Sequence, residues 1–304
     1  MPINWKSIAG STARSIASRF PVSFFGDKTF SPGVSANIIT RNDPWFLESL
    51  LSVIDIVDEI IIVDSSTDFY SGYNRNIVAK LKNKKINYFQ EELNIKEARE
   101  MAKSKSTKEI IFHWDADMVT TVEGKDFIKD LLGKLKSFNG KFVFYFPIVT
   151  FFMNFSTVIS NYYHLEGWIY SNSNKDFYKP RFEEKDKGTM VEGFSPPLYF
   201  RKLNHNGPLA LHLSLMMPEE KLIQKRLQKL WMNPEFKRQY SNFEDMKNKF
   251  SQLIDLDLEY EKEIYDNSKF GKIPPFLERF KGLELNVIIE KKLNEIKQME
   301  IPFI

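Results

Sequence analysis

The chain has 304 residues, enough for one large domain or two modest ones with a sizeable buried core. Hydrophobic residues make up 42% and charged residues 27%, which excludes wholesale disorder and collagen-like repeats; 43 Lys plus Arg against 40 Asp plus Glu give a net charge of +3, too balanced to imply a nucleic-acid partner from bulk charge. The lack of cysteine excludes disulfides, thiolate nucleophiles and cysteine-ligated metal centres, and makes the cytoplasm the simpler compartment.

Residues 1–30 read as an amphipathic extension. Trp5, Ala9, Ala13, Ile16 and Phe20 fall near one helical face, and no continuous apolar run of the kind a secretory signal needs is present. Residues 34–40 (VSANIIT) suit a buried strand. Asn42, Asp43 and Pro44 then predict a helix start, followed by Leu47, Leu50, Leu51, Ile54 and Val57 at helical spacing. Residues 60–63 (IIIV) predict a second strand ended by Asp64, Ser65 and Ser66; Ile77, Val78 and Leu81 fit a helix; residues 86–89 fit a third strand. Asn94 is placed to cap a helix through Ala98 and Met101, and residues 109–114 (EIIFHW) predict a fourth strand ended by Asp115-Ala116-Asp117.

That alternation of strand and helix argues for a mostly parallel, open α/β sheet with helices on both faces. Ligands of such sheets bind beyond the carboxyl ends of the strands, where Thr40, Asp64 and Asp115 stand. Residues 142–148 predict a further strand within an apolar stretch too short to span a bilayer. From about 154 to 208 the chain is loop-rich and aromatic; after Pro218 it turns to long charged helices over 219–231, 243–266 and 283–299. The division expected is an extension over 1–30, an α/β domain over 31–218 and a helical extension over 219–304.

Two carboxylates one residue apart at a strand end can share a hard cation, and Mg²⁺ or Mn²⁺ prefers such oxygens. The cation would offset charge developing on a diphosphate leaving group. Asp115 and Asp117 are therefore the candidate metal ligands. His113 precedes them and is expected on the opposite side of the strand.

The run from Ala36 to Thr67 resembles the opening of glycosyltransferase family 2 enzymes of the GT-A fold: a strand, Thr-x-Asn, a helix, then a valine-rich strand ending in Asp64-Ser65-Ser66-Thr67-Asp68. Ala98-Arg99 and then Asp115-Ala116-Asp117 follow in the same order. The resemblance implies a metal-dependent, inverting transfer of a sugar from a nucleoside diphosphate sugar (UDP- or GDP-linked) to a hydroxyl of a glycan, lipid-linked or protein acceptor. It implies that Thr40, Arg41 and Asp64 line the nucleotide pocket, that Arg99 reaches the diphosphate, and that Asp115 touches ribose or metal. It also suggests His212, in the strand-like Leu209–Ser214, as a third metal ligand. Glu192 between Gly188 and Gly193 is the favoured catalytic base, with Asp186 and Glu166 as alternatives.

Lys221, Lys225, Arg226 and Lys229 give one tail helix a basic side, read either as a solvated face or as peripheral contact with an anionic membrane. Two other readings stand beside the enzyme: a sugar transferase acting on modified DNA bases, and a non-catalytic nucleotide- or glycan-binding scaffold.

Overall fold

The computed structural model describes residues 30–66, 68–136, 142–158, 164–172, 183–185, 189–191, 200–202, 208–231, 234–265 and 291–292. The amphipathic start, Asp186, Glu192 and most of the third predicted tail helix lie outside them. The chain divides into two compact units. The first comprises residues 1–148 and 165–210, the second residues 149–164 and 211–304.

In the first unit, β1 (Ser31–Thr40), β2 (Glu59–Asp64), β3 (Ile86–Gln90) and β4 (Lys108–Asp115) are parallel, in the spatial order β3-β2-β1-β4. Each is linked to the next by one helix: α1 (Phe46–Val53), α2 (Asp68–Leu81) and α3 (Ile95–Lys105). After a short β5 (Met118–Thr120) comes α4 (Val122–Leu135), which lacks a counterpart among the predicted elements. Its signals are Thr121, whose hydroxyl accepts the Gly124 N–H at 2.8 Å, and the buried series Ile128, Leu132 and Leu135. A Cβ at Gly124 would sit 2.0 Å from the Leu209 carbonyl, so this helix approaches the 208–210 segment only with glycine there.

The α/β sheet with helices on both faces is as predicted, and antiparallel strands extend its parallel half. Beyond β4 it continues through β8 (His164–Ser171), antiparallel to β4, to β6 (Val143–Phe152), with β11 (Phe200–Lys202) parallel to β6. β9 (Glu183–Lys185) and β10 (Thr189–Val191) form a separate hairpin-like pair.

Residue parity divides the two faces. Even-numbered Ala36, Ile38, Ile60, Ile62, Phe112 and Trp114 pack with Phe46, Leu50 and Val53 of α1, Ile77 of α2 and Ile128 and Leu132 of α4. Odd-numbered Ile61 and Val63 pack with Ala98 and Ala102 of α3, flanked by Ile39 and Phe89. Helix ends follow the residues expected of them. Asn94 and Glu97 form a reciprocal capping box at α3, with bonds of 3.0 and 3.1 Å. At α1 the helix begins later than the Pro44 signal predicts, because Asp43 Oδ1 first accepts the Trp45 N–H at 2.8 Å and makes a tight turn of these residues.

The second unit holds the end of β6 antiparallel to β7 (Asn154–Val158), with β12 (Ala210–Leu215) beside β6. Three helices follow: α5 (Glu219–Trp231), α6 (Pro234–Gln239) and α7 (Phe243–Tyr265). The ring of Trp231 meets Phe243 edge-on at 6.0 Å. Among the described residues no helix is long and apolar enough to cross a membrane.

Candidate active site at the carboxyl edge of the parallel strands

Thr40, Asp64 and Asp115 close β1, β2 and β4 at one edge of the sheet, as the alternation predicts. Register then separates them. Thr40 stands opposite Asp64, whereas Asp115 stands opposite Ile39. Because neighbours in register share a face, Thr40 and Asp64 belong to the side covered by α1, α2 and α4, and Asp115 to the side covered by α3.

Asp64 is fully buried. Its Oδ1 accepts the Ser66 N–H at 2.8 Å; its Oδ2 accepts the Asn74 amide at 2.9 Å and the Tyr88 hydroxyl at 2.5 Å. Burial and the hydrogen bond to Asp64 push the Tyr88 phenol far above its ordinary range, so it donates at every physiological pH. These partners come from the turn after β2, from α2 and from β3, and Asp64 thereby ties three elements together. Tyr88 and Asn74 were not singled out by sequence reasoning. An alternating Ile86–Tyr88 strand beside Asp64 is the only sequence signal for the first, and nothing local marks the second.

The loop after β1 is held against the end of β2. Asn42, at φ 53°, donates its N–H to Ser66 Oγ at 2.8 Å, and Ser65 N–H reaches the Thr40 carbonyl at 2.9 Å. The Thr40 hydroxyl is buried with no partner among the described residues. Arg41 is half-buried, and burial lowers its pKa against the opposing influence of Glu92. Beside this loop Tyr70 is held neutral: burial first, then the charge of Asp43, pushes its phenol up to about 12.

On the other face Arg99 of α3 forms an ion pair with Asp115 Oδ1, the two side chains being 10% and 25% exposed. His113 lies on this same side, which corrects the expectation that it points away. Residues 113 and 115 are two apart on one strand and so share a face. Burial, then the nearby Arg99 charge, drives the His113 imidazole well below its usual pKa, and the ring is neutral. Asp117 is half-buried in the turn between β4 and β5.

His212 stands on β12 in the second unit, half-buried, its Nδ1 3.1 Å from Thr150 Oγ1. Among the described residues no group of three or more His, Asp or Glu side chains is gathered as a cation site. Within the first unit Asp115 pairs with Arg99, and within the second His212 meets Thr150. Of the candidate bases, Glu166 lies on β8, while Glu192 and Asp186 fall outside the described residues.

No protein-family profile and no curated protein matches the chain. Among solved structures it is similar to S. aureus TarS residues 1–349, at 18% identity and a TM-score of 0.42 over 66% of this chain and 65% of that one. A second structure, of the same TarS segment in complex with UDP, is similar at 23% identity and a TM-score of 0.31 over 38% of this chain and 36% of that one. The chain thus spans just under two thirds of the first neighbour's length.

Proposed function

We propose that the chain is a glycosyltransferase that moves a sugar from a nucleoside diphosphate sugar to an acceptor hydroxyl. The observation that carries this reading is the Asp115-Ala116-Asp117 turn, which closes a parallel strand next to β1 and its Thr40-Arg41 loop. That edge is where open α/β sheets take their ligands.

The donor set fits a hard divalent cation. Both side chains offer carboxylate oxygen, the donor type such a cation prefers. Asp115 and Asp117 would hold Mn²⁺ or Mg²⁺, and the bound ion would neutralise charge on the departing diphosphate. Arg99 orients Asp115 and offers a charge-assisted donor to a phosphate oxygen. Thr40 and Arg41 face the nucleotide from the loop after β1. Asp64 supports that pocket from beneath through Ser66 and Asn74. A carboxylate among Glu192, Asp186 and Glu166 would take the acceptor proton in an inverting displacement. The acceptor class, whether glycan, lipid-linked or protein-linked, belongs to that same proposal. His212 is given no part in it.

A thermal-shift panel of UDP- and GDP-sugars with and without Mn²⁺ tests the reading, since a ligand at 100 times its Kd adds about 2.7 kcal/mol to the native state. Stabilisation that depends on Mn²⁺ is expected, and Asp117→Ala is expected to abolish it without changing the unliganded melting temperature by more than a few degrees. Undiminished Mn²⁺-dependent stabilisation in that variant would overturn the assignment.

A further inference from the structure

The acidic turn is held from both faces of the sheet. On the α3 side Arg99 pairs with the Asp115 carboxylate. On the opposite side Ser49 of α1 donates its hydroxyl proton to the Asp115 backbone carbonyl at 2.7 Å, and its Oγ accepts the Trp114 indole N–H at 3.0 Å. Ser49 and Trp114 are both fully buried. An indole N–H only donates and a carbonyl only accepts, so the one hydroxyl proton of Ser49 has a single assignment.

The same helix reaches past the turn. Thr120 Oγ1 on β5 donates to the Ser52 carbonyl at 3.2 Å. At its other end α1 is tied to the loop after β1: Ser49 N–H donates to the Trp45 carbonyl at 2.9 Å, and Trp45 N–H to Asp43 Oδ1 at 2.8 Å. A run of hydrogen bonds therefore joins the loop that follows Thr40 and Arg41 to Trp114 and Asp115 before the turn and to Thr120 after it. The apolar contacts of Phe46, Leu50 and Val53 hold α1 on the sheet, but they are non-directional and allow it to rotate or slide. The Ser49 hydroxyl is directional.

We infer that Ser49 is a positioning residue that sets the register between the β1–α1 loop and the Asp115-Ala116-Asp117 turn. It thereby fixes the spacing between the nucleotide side and the cation side of the donor site. The second statement rests on the glycosyltransferase reading; the first concerns the free protein alone.

Two measurements on the full chain separate them. In hydrogen exchange of the unliganded protein, Ser49→Ala is expected to exchange about tenfold faster over residues 113–120, the equivalent of one net hydrogen bond lost. Ser52→Ala removes a hydroxyl from the same helix that, among the described residues, bonds the Ser49 carbonyl and not the turn. It is expected to leave that segment within about twofold of wild type. In calorimetry with UDP and Mn²⁺, Ser49→Ala is expected to weaken binding about 10–100-fold, the usual effect of losing an outer-shell partner of a metal ligand. Ser49→Cys fills the same space with a weaker donor, serves if the alanine variant does not fold, and is expected to fall between.

Unchanged exchange at the turn in Ser49→Ala would overturn the inference. So would an equal rise throughout the sheet in both serine variants, or a loosened turn that binds UDP and Mn²⁺ as tightly as wild type. If the turn loosens while the wild-type protein itself shows no Mn²⁺-dependent UDP binding, the positioning role stands and the glycosyltransferase reading is what fails.

Discussion

β2 and β4 flank β1, and each ends in an aspartate at the same edge of the sheet, yet the two carboxylates live in opposite surroundings. Asp64 is sealed, with three neutral donors from the turn, α2 and β3. Asp115 keeps a quarter of its side chain exposed and pairs with the Arg99 guanidinium from α3. A carboxylate ringed by buried neutral donors is a strut, because its acceptor sites are committed to the fold. A carboxylate at a half-open turn, next to a second acidic residue and an arginine, keeps electrostatic capacity for a ligand. Two aspartates that look equivalent at strand ends thus differ because one falls on an even and the other on an odd position of the pleat.

The largest expected effect separates strut from ligand. Asp64→Ala strands the buried Asn74 amide and leaves the Tyr88 hydroxyl only its longer bond to the Ser71 carbonyl, and is expected to cost about 3 kcal/mol in urea denaturation. A variant as stable as wild type would break the contrast at its root. Asp115→Ala removes a quarter-exposed carboxylate from a largely buried guanidinium, so a smaller loss of about 2 kcal/mol is expected, together with loss of Mn²⁺-dependent nucleotide binding. Should its stability fall as far as that of the Asp64 variant, Asp115 too would be a strut.

The α3 face also carries an acid-sensitive group. His113 is held neutral in the fold, below its unfolded pKa of about 6.5. Above that pH both states are neutral and the group adds no pH dependence. Below it the unfolded chain takes a proton that the native chain refuses, so stability falls by up to about 1.4 kcal/mol per pH unit. His113→Gln is expected to flatten the denaturation midpoint between pH 6.5 and 5; an unchanged slope would mean that the ring is protonated in place. The smallest effect belongs to the exposed Lys134–Asp130 pair on α4, at 2.5 Å, whose removal is expected to cost no more than about 0.5 kcal/mol.

Much of the first unit was legible. Runs such as IIIV and EIIFHW have no alternation because both faces of a parallel sheet are covered, and they emerge as β2 and β4. Asn94 and Glu97 name the start of α3 by a local mechanism, and the acidic turn follows its strand as predicted. α4 escaped because its apolar positions are spaced among lysines and aspartates that read as a solvated stretch. The antiparallel β8 escaped for a different reason: strand direction is set by which neighbour a segment meets, and that information is not local.

The site shows the same division. Sequence alone determined that acidic and polar side chains would collect at the carboxyl ends of β1, β2 and β4, since periodicity and right-handed connection force the strands to end on one edge. It also determined that Arg99 would stand on the helix entering β4. Only the tertiary structure decided that Asp64 is enclosed by Tyr88 and Asn74 and that Ser49 grips the acidic turn from behind. Those partners lie 10 to 66 residues apart along the chain, and a hydrogen bond over such a separation exists only once packing has brought its two ends together.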